Sequence, residues 1–233
     1  EKFRATFTDY WEDELFEPYD PDRLEDGRKL ERALDRKKET NDSEIAYVDL
    51  KPYPHQREIL EELEAERERH GRHKNLIVSA TGTGKTMVAA FDFARWRKDN
   101  PQGSLLFVAH RADILKQSLR TFRTVLRDGA FGELLVGEYE PKDWNHVFAS
   151  IQSLSSRGPS SIDPDAYDYV IVDEFHHSEA RTYTELLDHL EPDILLGLTA
   201  TPERADGQSV LHWFDGHMAA EIRLWDALER QLL

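Results

Sequence analysis

At 233 residues, 39% hydrophobic and 33% charged, the chain is long enough to bury a core, and one domain with an appendage is expected. No apolar run nears the ~18 residues of a membrane helix, and zero Cys excludes disulfides and thiolate metal sites, which reads as a reducing, cytoplasmic home. A net charge of −16 argues against a protein that coats nucleic acid by bulk electrostatics.

Residues 1 to 45 are charge-rich: the first 50 positions hold 9 basic and 16 acidic side chains. EPYDPDR reads as a turn and GRKLERALDRKKE as a short amphipathic helix, together a linker or the tail of a preceding domain, with the main domain over 46–233. The opening EKFRATFTDYWEDELF has neither a signal pattern nor an initiator Met, so the sequence reads as a piece of something longer. A helix is predicted from Pro54, with Ile59, Leu60 and Leu63 as its apolar stripe and Gly71 as its C-cap. Apolar strand-like runs follow: NLIVSA (75–80), SLLFVA (104–109), ELLVG (133–137), HVFAS (146–150), YVIVDE (169–174) and DILLGLTA (193–200). Near-continuous apolar strands between helices suit an α/β, doubly wound, mostly parallel sheet with helices on both faces. No repeat or low-complexity tract interrupts it.

Between the second and third runs, Arg111 to Arg127 carry five basic residues against one acidic residue, an excess that can meet phosphates. Lys116, Arg120, Arg123 and Arg127 fall on one helical face opposite Ile114, Leu115, Leu119, Phe122 and Leu126, which reads first as a solvated face. Further on, Tyr183, Leu186, Leu187 and Leu190, preceded by a Thr182 and Glu185 capping pair, mark a core-facing helix. Trp144, Trp213 and Trp225 read as packing residues rather than stacking platforms.

The densest chemistry lies in SATGTGKT, residues 79 to 86, between a strand and a helix. It fits the phosphate-loop pattern with Ser79 in place of the leading Gly. Thr81, Gly82, Thr83 and Gly84 would close backbone N–H groups around phosphate oxygens, Lys85 would reach the β- and γ-phosphates, and Thr86 would bind Mg²⁺. The alternative is a Gly-rich turn, but GKT stands at the required junction.

A single hydroxyl cannot hold Mg²⁺ alone, and YVIVDEFHH supplies a carboxylate on what is expected to be a neighbouring strand. Asp173 would hold the metal through water and Glu174 would polarise the attacking water. A free-standing metal site built from Asp173, His176, His177 and Glu179 is the competing reading, although it lacks HExxH spacing.

DEFH resembles the DExH signature of superfamily 2 helicases. Other stretches match in order: PHQ with Gln56 in the adenine-reading position, VAHRADILKQS (108–118), FASIQSL (148–154) and LTATPER (198–204). The motifs look closest to the branch holding restriction-enzyme motor subunits and excision-repair helicases, and FTDYWEDELFEPYDP and EIRLWDALERQLL are similar to bacterial helicases with an upstream phospholipase-D-like nuclease. The resemblance implies a RecA-like first motor domain of an ATP- and Mg²⁺-dependent helicase or translocase. It puts nucleic acid, preferably DNA, on Arg111, Ser150, Gln152 and Ser153, and coupling on His176, Thr199 and Thr201. It also implies a second RecA-like domain, whose QxxGRxxR-like arginines this sequence does not contain, so the chain alone is expected to turn ATP over weakly. Tyr53, three residues before Gln56, departs from the usual RxxQ arrangement. A phosphotransferase acting on a small substrate and a non-catalytic ATP-gated binding module are the competing functions.

Overall fold

The computed structural model describes residues 50–174, 180–200 and 210–222. The expectations for residues 1 to 45, His176, His177, Glu179, Thr201 and Trp225 lie outside the described residues.

Helix α1, Pro54–His70, starts where Pro54 needs no N–H partner, and it ends at Gly71, whose φ of 63° is left-handed as a C-cap requires. There follow β1 (Lys74–Ser79), α2 (Lys85–Asp99), β2 (Leu105–Ala109), α3 (Ala112–Leu126), β3 (Glu133–Leu135) and β4 (His146–Ser150). The order continues with α4 (Ile151–Arg157), β5 (Tyr169–Asp173), α5 (Ala180–His189), β6 (Ile194–Thr199) and β7 (Ala220–Ile222), with a 3-10 segment at Val210–Phe214 before the last strand. All six predicted strand runs are present within two residues. The seventh, AEI, is three residues long and leaves Glu221 exposed, too short and too polar to stand out in the sequence.

The strands form one parallel sheet in the order β3-β4-β2-β5-β6-β1-β7. Alternate side chains feed two cores. Ile77, Phe107, Phe148, Ile171 and Leu196 pack under α1, α2 and α3 with Leu60, Phe93 and Phe122, while Leu76, Val108, Val147, Val172 and Leu195 pack with Leu154, Tyr183, Leu186 and Phe214. Phe214 approaches so closely that a Cβ on Gly197 would lie 2.3 Å from its ring.

A buried polar network ties helices to sheet at the amino end of the strands. Arg67 of α1 makes a two-pronged ion pair with Asp92 of α2 at 2.9 and 2.7 Å and donates through Nε to Asn75 of β1 at 2.9 Å. The Tyr169 hydroxyl donates to the same Asp92 carboxylate, and each partner is then satisfied inside the core.

Three readings need correction. Arg127 has φ 55° and lies past the end of α3 as its C-cap, and Arg123 donates to the carbonyls of Phe131 and Gly132 at 2.8 and 3.1 Å, so the basic stripe is not four solvated side chains. Thr182 sits inside α5, not before it, because the helix already includes Ala180. Trp144 is 38% exposed with the Arg157 guanidinium 5.1 Å from its ring centre, a surface position. Trp213 does pack partly against the core.

Removing one member of the buried pair strands the other. Arg67→Ala is expected to cost about 3–5 kcal/mol in denaturant unfolding, and the volume-matched double variant Arg67→Met, Asp92→Leu should recover part of it.

Candidate functional site

The loop at the carboxyl end of β1 turns through two left-handed glycines, Gly82 at φ 95° and Gly84 at φ 83°, and α2 begins at Lys85, which places the loop between strand and helix. Thr83 points inward, its Oγ1 donating to the Ala80 carbonyl at 2.8 Å and lying 2.7 Å from Ser79 Oγ. The substitution of Ser for the usual leading Gly therefore has a structural use: Ser79 is fully buried and braces the loop through its hydroxyl. The Ala80 N–H donates to the Ile222 carbonyl, so β7 supports the loop from the far side. Thr81 and Gly82 face solvent, and Thr86 is half-buried in the first turn of α2.

Two residues of α1 hold the loop from above. His55 Nε2 lies 3.1 Å and Gln56 Nε2 3.5 Å from the Thr83 carbonyl, and Gln56 Oε1 accepts the Tyr53 N–H at 3.0 Å. Gln56 is 3% exposed, so an adenine contact requires its amide to leave this capping arrangement. Tyr53, by contrast, is 68% exposed, with its ring stacked on His55 at 6.0 Å.

Lys85 Nζ donates to the carbonyls of Ser79 and Ala80 at 2.7 and 3.2 Å. Burial lowers its pKa from the usual lysine value, opposed by the charges of Asp173 and Glu174. These two carboxylates stand at the end of β5, and β6 runs between β5 and β1, so the expected neighbouring strand is the next but one. Parallel register still delivers them to the loop, since Asp173 aligns with Leu198 of β6 and Leu198 with Ile77 of β1. Asp173 is 5% exposed; burial and the Glu174 charge push its carboxyl up to about 6 against the opposing pull of Lys85 and the Glu174 N–H. That N–H donates to Asp173 Oδ1 at 2.9 Å, which holds Glu174 at a left-handed φ of 52°, an uncommon setting for a non-glycine residue. Glu174 Oε2 lies 3.6 Å from His110 Nδ1. On α5, burial raises the Tyr183 phenol, and the charges of Asp173 and Glu174 push it the same way.

The other named residues are arranged along the same sheet edge. Thr199 ends β6, fully buried. Arg111 precedes α3 as its N-cap, and its exposed guanidinium bonds Asp113 at 2.8 Å, an exposed pair worth at most ~1 kcal/mol and easily exchanged. Ser150 is buried, its Oγ accepting the Ser153 N–H at 3.1 Å and donating to Ser153 Oγ at 2.8 Å; it caps α4, and exposed Gln152 is the member of that trio turned to solvent.

For a nucleoside triphosphate with Mg²⁺ the donor set fits. Thr86 and Asp173 offer only oxygen, which a hard divalent cation requires, and the glycine-turned loop with Lys85 offers N–H groups and a cation. Among the described residues no group of three or more His, Asp and Glu side chains is arranged to hold a metal of its own. Sequence reasoning missed His55 and His110. Both stood inside quoted motifs, PHQ and VAHR, but a lone histidine carries no spacing signal.

Residues 49–204 match the family described as type III restriction enzyme, res subunit. The chain is 28% identical over 152 residues to the type I restriction enzyme EcoAI endonuclease subunit of Escherichia coli, a match over 62% of this chain and 19% of that protein. Among solved structures, a nuclease-deletion mutant of the type ISP restriction-modification enzyme LlaGI in complex with a DNA substrate mimic superposes with a TM-score of 0.61 at 17% identity, over 78% of this chain and 21% of that one. The Hef helicase domain of Pyrococcus furiosus gives 0.56 at 21% identity, over 73% and 38%. The chain thus spans about a fifth of the length of the curated relative.

A carboxylate held near a pKa of 6 in the fold and about 3.8 in the unfolded chain destabilises the fold as pH rises through that interval. Asp173→Asn keeps the acceptor for the Glu174 N–H and removes the charge. The nucleotide-free variant is expected to melt a few degrees above the parent at pH 7 and to match it near pH 4, as read by thermal unfolding at both values.

Proposed function

The chain belongs to the family described as type III restriction enzyme, res subunit, a RecA-like superfamily 2 helicase branch, and from that footing we propose that it is the first motor domain of a DNA-translocating ATPase. The observation that carries the reading is a single sheet edge holding Lys85, Asp173 and Glu174 beside Arg111 and Gln152. Few other functions need a phosphate loop with its acidic pair and, strands away, donors suited to a nucleic-acid backbone.

In this reading Lys85 exchanges the Ser79 and Ala80 carbonyls for the β- and γ-phosphate oxygens of ATP, and the N–H groups of Thr81 to Gly84 close around them. Thr86 and Asp173 would hold Mg²⁺, which when bound neutralises phosphate charge. Glu174 accepts a proton from the attacking water, and the left-handed turn that sets its carboxylate beyond Asp173 keeps the two acids in separate roles. Gln56, once out of its cap, reads adenine. Arg111 with Gln152 and Ser153 grips DNA phosphates, and Ser150 shapes that turn as a cap. Thr199, with His176 and Thr201, passes the loss of the γ-phosphate to the DNA track. The cations that stabilise the transferring phosphoryl group come from a second RecA-like domain, so this chain binds ATP and hydrolyses it slowly.

The test is ATP turnover with and without single- and double-stranded DNA, for this chain and for the full-length protein. The chain is expected to bind nucleotide through Lys85, losing it in Lys85→Ala, while DNA-stimulated turnover appears in the full-length protein. There Glu174→Gln should lower kcat by ~10²-fold or more with nucleotide affinity retained. Full-length turnover indifferent to DNA would overturn the motor.

A further inference from the structure

The parallel pairing of β2 with β5 aligns Val108 with Val172. Two residues further along both strands, the same alignment brings His110 opposite Glu174, and there His110 Nδ1 lies 3.6 Å from Glu174 Oε2. His110 leaves the end of β2, and its next neighbour, Arg111, already caps α3. A single peptide bond thus separates the side chain beside the water-polarising carboxylate from the one assigned to DNA phosphates. No glycine or loop intervenes to absorb a displacement, and both flanking elements are packed: Ala109 and Leu115 are fully buried.

We infer that His110 is a positioning residue that carries DNA occupancy at Arg111 to the carboxylate of Glu174; the inference rests on the motor reading. Glu174 is half-exposed on a left-handed backbone, so its side-chain direction is set by neighbours rather than by close packing. The 3.6 Å separation is longer than a hydrogen bond, so a shift of about half an ångström at residue 110 makes or releases a strong contact. Among the described residues Arg111 is bound to exposed Asp113, and a phosphate that replaces this partner pulls on the peptide joining 110 to 111. Proton abstraction from water depends steeply on the placement of the accepting oxygen, so a small re-aiming of Glu174 is a large change in rate.

The experiment uses the full-length protein and reads the ratio of ATP turnover at saturating double-stranded DNA to turnover without DNA, so that any change in basal rate divides out. ATP affinity and DNA affinity, by fluorescence anisotropy, are measured on the same variants. His110→Ala is expected to reduce the ratio by about tenfold, toward one, with both affinities within about twofold of the parent. His110→Asn, whose side-chain amide nitrogen falls near the place of Nδ1, should keep most of the stimulation. A parental ratio in His110→Ala, or loss of ratio and of DNA affinity together, or an Asn variant as impaired as the Ala variant, overturns the role of His110 and leaves the motor reading standing. A parent protein without DNA stimulation overturns the motor reading itself.

Discussion

Parallel direction is the constraint on which the rest depends. Because every strand runs the same way, the carboxyl ends of β1, β6, β5, β2 and β4 open on one edge. Strands sandwiched between two helical layers have no room for polar side chains along their length, and polar chemistry is driven to their ends. The two ends are then used differently. At the amino edge polar groups satisfy one another: Arg67 with Asp92, Asn75 and Tyr169, and Ser104 with Asp168. Among the described residues at the carboxyl edge, Lys85 and Arg111 hold exchangeable partners, backbone carbonyls and an exposed acid, while Asp173 accepts the Glu174 N–H and Glu174 lies 3.6 Å from His110. A ligand can take those places at small cost, whereas at the amino edge it would have to break a buried ion pair.

Much of this was legible in the sequence because it rests on local signals. Unbroken apolar runs marked six strands, Gly71 marked the end of α1, and GKT at a strand-to-helix junction marked the loop. What escaped depends on register between distant segments. Nothing local says that β6 is inserted between β1 and β5, since strand order follows from crossover geometry and not from periodicity. The same holds for His110, whose partner lies 64 positions away and is found only by aligning Val108 with Val172. Arg123 read as solvated because helical spacing assigns a face, and whether carbonyls such as those of Phe131 and Gly132 wait on that face is a tertiary fact.

Charge tells a related story. A net charge of −16 weakens any general attraction to a polyanion, so a nucleic acid would have to be met by a few aimed groups and not by a basic surface. Three of the five cations from Arg111 to Arg127 stand apart from one another. Arg123 fixes the stretch around Phe131, Lys116 lies 5.1 Å from the centre of the Tyr139 ring, and Arg111 stands at the sheet edge. An excess that looks like one patch in the sequence is three separate devices in the fold.

The contact between Gly84 and Gln56 bears on how this site can change over generations. A Cβ at position 84 would stand 2.5 Å from Gln56 Nε2, and the φ of 83° would strain any side chain there. A smaller residue at position 56 would lift the first barrier and leave the second, while removing the amide that caps α1 and touches Thr83. Because the Gln56 amide is the mobile end of a side chain and can give way, the left-handed backbone is the lasting constraint at position 84. Position 84 is thus held chiefly by its backbone, while Tyr53 faces open solvent and meets no such limit on substitution.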